Sequence, residues 1–340
     1  MGSEYKAAIY RERGQVDVVK LQFPVCGEQD VVVRNLMAGV CGTDIAAYKY
    51  GDPRPVWKNS EFGHEVVSEV IQKGDMVQGL ELGDLVFPNL GYGIRDKRRM
   101  SNVGAFSEYL LLPQCELGHS VLKIDSEIPL KTAVLLEPFI VGARGVVGLN
   151  PDATKTAIVF GAGIIGMSAA LMLKWYGCGQ VMVVDISDFR LSNARSFGLL
   201  TCNPNNENLF EVAIDNFGEG KAFSGTACGA DLYVDALSLT VALDNFTQLA
   251  KREAELAIIG VHQQPVPIDL KQLCYNNWHI HGCGKLPYEV IYTDVLDLMK
   301  SGRFDLSKLV THEYRIDQIC DALVMGRNAD EAQKVCISYL

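Results

Sequence analysis

The chain has 340 residues, of which 48% are hydrophobic and 21% are charged, and this composition is typical of a globular protein with about two domains. Its formal net charge of -10 argues against nucleic acid as a partner, because an acidic surface repels phosphate groups. No apolar run reaches the ~18 residues that a membrane-spanning helix needs and no signal peptide is recognisable, so we expect a cytoplasmic protein that binds no membrane.

Short segments rich in valine and punctuated by glycine fill roughly the first 125 residues. They include DVVVRNLMAGV at 30–40, HEVVSEVIQKG at 64–74 and AFSEYLLLP at 105–113. Such segments are typical of short strands joined by turns. They predict a β-rich, partly barrel-like module, in which the polar and basic stretch at 90–104 forms an exposed loop.

The pattern changes after Pro151. Residues 154–198 read as a strand, a glycine turn, an apolar helix, a second strand ending in an acidic residue, and another helix. Strands that alternate with helices predict a parallel sheet covered on both faces, and the alternation continues to about residue 285. Helical patterns then return, and KVCISYL at 334–340 reads as a closing strand.

A glycine-rich turn lies between the first strand and the first helix of this second region. The segment AIVFGAGIIG places Gly161, Gly163 and Gly166 in a G-x-G-x-x-G pattern, which lets the backbone approach a pyrophosphate at the helix N-terminus. Asp185 ends the next strand at nearly the spacing of the carboxylate that binds the ribose 2′-hydroxyl, where it would repel a 2′-phosphate. A carboxylate there favours NAD over NADP, and Arg190, which follows closely, weakens this preference only slightly. The pattern predicts a dinucleotide site that favours NAD over NADP.

Four side chains of the first region are of the kinds that hold zinc. Cys41 lies between glycines in GVCGTD, His64 and Glu65 are adjacent in FGHE, and Glu137 precedes a proline in LLEPF. Gly63 allows a tight turn that aims both His64 and Glu65 into one cleft. Zinc acts as a Lewis acid on an alcohol whose hydride moves to a nicotinamide. Taken separately, Cys41 reads as a core residue and Glu137 as an acid at a helix start, so only the combination favours a metal site.

Five motifs occur together in a characteristic order: GVCGTD, GHE, EP, GAGIIG and VVDISDFRLSNARSFG. By this order and the approximate spacing, the chain resembles the zinc-dependent medium-chain alcohol dehydrogenases over essentially its whole length, with the sorbitol and threonine dehydrogenase subgroup most similar. The resemblance implies an α/β fold that combines two domains. A GroES-like, β-rich catalytic domain would comprise 1–150 and 286–340, and a Rossmann domain with a doubly wound parallel sheet would bind NAD at 151–285.

The resemblance also implies roles for individual residues. Cys41, His64 and Glu137 would ligate the catalytic zinc ion, with Glu65 beside them as an exchangeable ligand or a close neighbour, and which glutamate binds directly stays open. Thr43 matches the hydroxyl that passes the substrate proton onward. The positions that match the dinucleotide site of the family are Gly161, Gly163, Ile165, Gly166, Asp185, Arg190, Leu237, Val261 and Lys285.

Two departures from the family pattern stand out. Many members have a histidine that completes a proton relay where this chain has Ala46, so the proton would leave by another route, through water or Glu65. Many members also bind a structural zinc ion through four cysteines, which are missing from the shortened lobe here. We therefore expect one zinc ion per chain.

The primary hypothesis is a zinc-dependent, NAD-linked oxidoreductase that interconverts a secondary alcohol and a ketone. A polyol, a sugar acid or a cyclitol is the first expectation for the substrate, and a bulkier hydrophobic ketone such as a hydroxysteroid is the alternative. A hypothesis from another class is a catalytically inactive dinucleotide-binding protein with a structural or regulatory role. The family forms homodimers and homotetramers, and the sequence does not choose between them.

Overall fold

The computed structural model describes residues 4–51, 56–89, 104–283 and 288–340. Nearly all of the loop predicted at 90–104 and the predicted site residue Lys285 therefore lie outside the described residues. Contacts between Cα atoms divide the chain into two compact units, one formed by 1–137 and 299–340 and the other by 138–298. The domain bounds expected from the sequence stay a prediction.

The first unit is built mainly of strands. In chain order they are β1 (Glu4–Glu12), β2 (Gln15–Gln22), β3 (Val31–Gly39), β4 (Ser60–Glu61), β5 (Glu65–Lys73), β6 (Leu85–Pro88), β7 (Tyr109–Leu112) and β8 (Val121–Lys123), with β17 (Val310–Tyr314) and β18 (Lys334–Ser338) from the C-terminal part. Its described helices are α1 (Gly42–Tyr50), α2 (Leu130–Ala133) and α10 (Ile319–Met325).

Two sheets organise these strands. One has the order β2-β1-β4, and the larger has the order β17-β18-β3-β5-β6-β8, with β7 also paired to β3. Strand β3 lies inside the larger sheet, and all of its residues except Arg34 are buried, in agreement with a sequence that is mostly apolar. The core of this unit contains Val31, Val33, Val66 and Val70, contributed by β3 and β5. The β-rich module predicted for the first region is thus confirmed.

The second unit is an α/β layer structure. Its parallel strands are β9 (Ala157–Phe160), β10 (Val181–Val184), β11 (Leu200–Cys202), β14 (Leu232–Asp235), β15 (Glu255–Ile258) and β16 (His279–Gly282), and an antiparallel hairpin is formed by β12 (Glu219–Ala222) and β13 (Gly225–Cys228). The described helices assigned mainly to this unit are α3 (Leu136–Val146), α4 (Ile164–Trp175), α5 (Asp188–Ser196), α6 (Leu209–Phe217), α7 (Thr240–Leu249), α8 (Leu270–Asn276) and α9 (Tyr288–Ser301).

The order of the six parallel strands is β11-β10-β9-β14-β15-β16. The chain starts in the middle at β9, builds outward to one edge, and then returns to build outward from β14 to the other edge. In such sheets, ligands bind beyond the carboxyl ends of the strands where the order reverses, here between β9 and β14. The predicted doubly wound parallel sheet is confirmed. Among the described residues, no helix has both the length and the apolar character required to cross a membrane.

Candidate functional site

Three potential metal ligands meet at one end of the larger sheet in the first unit. One ligand atom from each of Cys41, His64 and Glu65 lies within 4.8 Å of the other two. Cys41 follows β3 and caps α1, while Glu65 begins β5. Gly39 of β3 pairs with Glu65 of β5. Since Cys41 is only two residues after Gly39, this pairing places its thiol close to His64 and Glu65.

A glycine turn precedes the histidine. Gly63 has a φ of +87°, a conformation that favours glycine, and a Cβ atom at this position would lie 2.7 Å from the Phe106 ring. No side chain fits there without displacing that buried ring. The turn places His64 outside the strand, so its side chain and that of Glu65 reach the same site although the residues are adjacent. The sequence-based interpretation of Gly63 is confirmed.

Acidic groups surround the imidazole of His64. The Asp44 side chain is completely buried, accepts a hydrogen bond from the Cys41 backbone N–H at 3.0 Å through Oδ2, and places Oδ1 3.8 Å from His64 Nδ1. Burial raises the pKa of Asp44. For His64, burial lowers the pKa, but the charges of Cys41, Asp44 and Glu137 outweigh it and leave the pKa well above the usual value. The raised pKa of His64 thus reflects the negatively charged groups that lie close to its imidazole.

The residues present fit a zinc ion. A thiolate, an imidazole and a carboxylate are the zinc ligands of proteins, and three such ligands leave one position open for a substrate. Within the described part of the chain, His64 Nδ1 and Asp44 Oδ1 are buried and have no hydrogen-bond partner. A cation on the opposite side of the imidazole would favour the tautomer in which Nδ1 carries its proton toward Asp44, an arrangement typical of metal-binding histidines.

The other two residues predicted for this site are placed differently. Glu137 lies in the first turn of α3 and is half-buried, and its charge acts on His64. In the described ranges it is not a member of the group of ligand atoms that lie within 4.8 Å of one another, so its role as a direct ligand stays a prediction. Thr43 is exposed in the first turn of α1. Its role in proton transfer also stays a prediction.

Sequence analysis missed a buried lysine next to this group. The ammonium of Lys334, at the start of β18, forms an ion pair with Glu65 Oε2, and both side chains are only 1% exposed. The sequence signal was a lysine at the head of an otherwise apolar strand, KVCISYL, where a charged residue requires a partner. Nothing in the sequence says which carboxylate that partner is.

The glycine pattern of the second unit forms a tight turn between β9 and α4. Gly161 has a φ of +102°, and Gly163 caps α4. A Cβ atom on Gly166 would collide with the carbonyl oxygen of Gly161, so this position excludes any side chain. Ile165 lies in the first turn of α4, whose free N–H groups favour an anion. The turn therefore has the geometry that a pyrophosphate requires.

Asp185 lies next to this turn. Its Oδ2 accepts a hydrogen bond from Ala162 N at 2.7 Å, and its Oδ1 accepts one from Ser187 N at 2.9 Å. Each carboxylate oxygen has two lone pairs, so both oxygens retain capacity for ribose hydroxyl groups. The guanidinium of Arg190 lies near the same turn, with Nη1 3.8 Å from the position of a Cβ on Gly163.

Two further predicted dinucleotide contacts, Leu237 and Val261, lie beyond the ends of β14 and β15. Leu237 approaches the glycine turn, with its Cδ2 3.0 Å from the position of a Cβ on Gly161, and Val261 is 72% exposed. Between them the structure shows a feature that sequence analysis missed. The completely buried Asp235 lies 2.6 Å from His262 Nε2, and its other oxygen accepts hydrogen bonds from the backbone after β14.

Two family models match the chain. The model described as "Alcohol dehydrogenase GroES-like domain" matches residues 27–124, and the model described as "Zinc-binding dehydrogenase" matches residues 165–301. Together they span more than half of the chain. With the parallel sheet described above, they confirm the predicted combination of a GroES-like domain and a Rossmann domain.

Known proteins resemble the chain over nearly its full length. The L-threonine 3-dehydrogenase of Paraburkholderia xenovorans is 27% identical over 336 residues, which cover 93% of each chain. The structure of 2R,3R-butanediol dehydrogenase from Bacillus subtilis has a TM-score of 0.84 at 22% identity and covers 99% of this chain and 100% of its own. An alcohol dehydrogenase from Escherichia coli CFT073, solved with NADH, gives the same TM-score, identity and coverage.

Proposed function

Because the chain belongs to the zinc-dependent medium-chain alcohol dehydrogenase family, and is an oxidoreductase that uses zinc and a nicotinamide dinucleotide, we propose that it interconverts a small secondary alcohol and the corresponding ketone. The observation that carries this proposal is the convergence of Cys41, His64 and Glu65 within 4.8 Å of one another. When bound there, zinc supplies Lewis acidity toward an alcohol or ketone oxygen. Glu137 adds negative charge at His64 and is the proposed further ligand.

The proposed substrate class is a polyol or a similar small molecule with neighbouring polar groups, such as a sugar acid or a cyclitol. Two of the similar proteins are named for L-threonine and 2R,3R-butanediol, and both names describe small, polar secondary alcohols. A hydroxysteroid is not favoured, because these names point to compact, hydrophilic molecules. Screening small polyols and hydroxy acids for NADH formation identifies the substrate.

The proposed dinucleotide is NAD rather than NADP. Asp185 places a carboxylate, held by two backbone N–H groups, beside the glycine turn. A carboxylate there binds ribose hydroxyl groups and repels a 2′-phosphate. Leu237, Val261 and Lys285 are proposed as further contacts along the dinucleotide.

The proposed route for the substrate proton begins at Thr43. Its side chain is exposed, so water reaches it directly. Glu65 is 1% exposed and paired with Lys334, which makes it the less accessible acceptor. We therefore assign the onward transfer to water, which replaces the histidine relay that Ala46 cannot provide.

We also propose that the protein acts as a homodimer or homotetramer. The strands β11 and β16 form the two edges of the parallel sheet, and within the described part of the chain neither has a second neighbour. An edge strand can pair with the same strand of another copy. Light scattering on the purified protein measures the oligomeric state.

The proposed metal site is tested by replacing one ligand. Cys41→Ser should lower the zinc content from about one ion per chain to a small fraction of that, and NAD-linked alcohol oxidation should fall by at least ~100-fold, because the hydroxyl is a far weaker zinc ligand than a thiolate. The matched control is Cys274→Ser, which changes an exposed cysteine on α8 and should leave zinc content and activity unchanged. Full zinc content and full activity in the Cys41 variant would rule out the assignment.

A further inference from the structure

The pair of Asp235 and His262 lies at the carboxyl edge of the parallel sheet in the second unit. Asp235 is the last residue of β14, and its side chain is completely buried. Its Oδ1 accepts hydrogen bonds from the backbone N–H groups of Leu237 at 2.9 Å and Ser238 at 3.2 Å, and its Oδ2 lies 2.6 Å from His262 Nε2. A carboxylate only accepts hydrogen bonds, so His262 Nε2 is the donor in this contact.

This contact fixes the tautomer of His262. In a neutral imidazole only one nitrogen carries a proton, and a proton on Nε2 leaves Nδ1 as a hydrogen-bond acceptor. Among the described residues, Asp235 is the only hydrogen-bond partner of the His262 ring. The His262 side chain is also 16% exposed, so the ring reaches the surface of the unit. A buried acid therefore holds in place an imidazole whose acceptor is unused.

The strand order places His262 close to the glycine turn. Strand β9 ends at that turn, and β14 and β15 follow it in the sheet. Leu237 has its Cδ2 3.0 Å from the position of a Cβ on Gly161. The backbone N–H of Gly260, two residues before His262, donates to the backbone oxygen of Asp235 at 2.9 Å. The glycine turn, the turn after β14 and the turn with His262 are thus neighbours in that order.

This order decides which half of a dinucleotide His262 meets. A dinucleotide extends across the crevice at the point where the strand order reverses, with its pyrophosphate on the glycine turn. Asp185, at the end of β10, is the proposed acceptor for the ribose of the adenine half. The nicotinamide half then lies over the ends of β14 and β15. It carries two kinds of donor, the hydroxyl groups of its ribose and the NH₂ group of its carboxamide.

We propose that His262 is a further dinucleotide-binding residue, whose Nδ1 accepts a hydrogen bond from a hydroxyl or carboxamide donor of the nicotinamide half. Asp235 is the positioning residue that fixes the tautomer this contact requires. The inference deepens the proposed function and rests on it. In a purely structural role, by contrast, only the contact between His262 Nε2 and Asp235 matters.

The test uses His262→Gln, which separates the two ring nitrogens. The side-chain NH₂ of glutamine reaches about as far as Nε2 and still donates to Asp235, but no acceptor replaces Nδ1. The dissociation constant for NADH should rise about three- to ten-fold, as expected for one lost hydrogen bond, while urea unfolding stays close to that of the wild type. Fluorescence titration measures the dissociation constant. A folded His262→Gln protein that binds NADH like the wild type overturns the proposal.

Shorter ligands locate the contact. AMP contains only the adenine half and should bind His262→Gln as it binds the wild type. A loss of affinity that already occurs with ADP-ribose places the donor on the second ribose, whereas a loss confined to NADH places it on the carboxamide. If AMP is weakened as much as NADH, the substitution has damaged the whole site and the proposed contact is contradicted.

Asp235→Asn tests the tautomer and gives an independent answer if His262→Gln does not fold. The amide oxygen then accepts from the backbone, and the amide NH₂ turns toward His262 Nε2, which has to become an acceptor while Nδ1 takes the proton. NADH affinity should fall at least as much as in His262→Gln although the imidazole is intact, and unchanged affinity would contradict the role of His262. The double variant should bind NADH no more weakly than Asp235→Asn alone.

The matched control is His281→Gln. It makes the same substitution at a partly exposed histidine of the same unit that also contacts a carboxylate, Glu255. NADH should bind to it as to the wild type.

The two proposals fail in different ways. Wild-type protein that binds neither NADH nor NADPH contradicts the proposed function. Wild-type protein that binds NADH, combined with a His262→Gln protein that binds it equally well, contradicts only the role of His262.

Discussion

At the scale of single residues, the buried carboxylates differ in their hydrogen-bond and ion-pair partners. Glu65 is paired with an ammonium, Asp44 accepts a backbone hydrogen bond and faces an imidazole, and Asp185 receives one backbone N–H on each oxygen. These surroundings give each acid a different capacity for further ligands. Glu65 and Asp44 lie at the proposed metal site, whereas Asp185 retains lone pairs that suit the ribose hydroxyl groups of the proposed dinucleotide.

Asp185 provides a prediction at this scale. Asp185→Asn removes the negative charge and turns an amide NH₂ toward one of the two backbone donors, from Ala162 or Ser187. Because hydrogen bonds to charged groups contribute about 1.5–3 kcal/mol, the dissociation constant for NADH should rise by roughly ten-fold or more. The preference for NAD over NADP should also shrink, since the repulsion of a 2′-phosphate is lost.

The measurement is NADH and NADPH titration by fluorescence. Asp215→Asn, which changes an exposed acid on α6, is the control and should bind NADH like the wild type. An Asp185 variant with an unchanged ratio of the two affinities would show that another residue selects the dinucleotide.

At the scale of elements, Asp235 joins two turns at the carboxyl edge of the parallel sheet. Its side chain accepts hydrogen bonds from the N–H groups of Leu237 and Ser238 and contacts His262, and its backbone oxygen accepts bonds from Ile259 and Gly260. The turn after β14 is thereby fixed to the turn after β15. Both turns are where the proposed dinucleotide contacts Leu237 and Val261 lie.

This arrangement predicts that replacing His262 lowers the free energy of unfolding more than replacing His281 does. His262→Ala leaves the completely buried carboxylate of Asp235 with one partner fewer and should lower the free energy of unfolding by about 1–3 kcal/mol. His281→Ala removes a contact to the partly exposed Glu255 and should cost no more than about 1 kcal/mol. Urea unfolding measures both values. Equal losses in the two variants would contradict a special role for the Asp235 pair.

Features of the site that depend on local motifs could be predicted from the sequence, whereas contacts between distant strands could not. The glycine turn was predictable because each of its glycines meets a local requirement, and Cys41 and His64 were recognisable through motifs that resemble a family. The pairs Lys334–Glu65 and Asp235–His262 were not, since their members are brought together by strand register and sheet order. A sequence contains no local trace of which strands become neighbours.

At the scale of the whole molecule, the two proposed cofactors belong to different units. The group of Cys41, His64 and Glu65 lies in the unit formed by 1–137 and 299–340, and the glycine turn lies in the unit formed by 138–298. Each unit has its own hydrophobic core. A cofactor that binds one unit should therefore stabilise that unit first.

Hydrogen exchange followed by mass spectrometry tests this separation. Adding zinc to metal-free protein should slow exchange in peptides around Cys41 and His64, because the metal ties the end of β3 to the start of β5. Exchange at the glycine turn, 161–166, should respond to NADH instead. The Cys41→Ser protein is the control and should lose the response to zinc alone. Zinc that protects the glycine turn and not the Cys41 peptide would contradict the assignment of the metal to the first unit.

The position of β18 in the chain has a consequence for folding during translation. This strand pairs with β3 and brings in Lys334, yet it is translated only after the entire second unit. A nascent chain can therefore fold its Rossmann sheet while the pocket of Cys41 and Glu65 still lacks its countercharge. Glu65 therefore gains its buried partner only after β18 has been translated, and a chain truncated just before Lys334 would be able to form the nucleotide turn but would leave Glu65 without that ion pair.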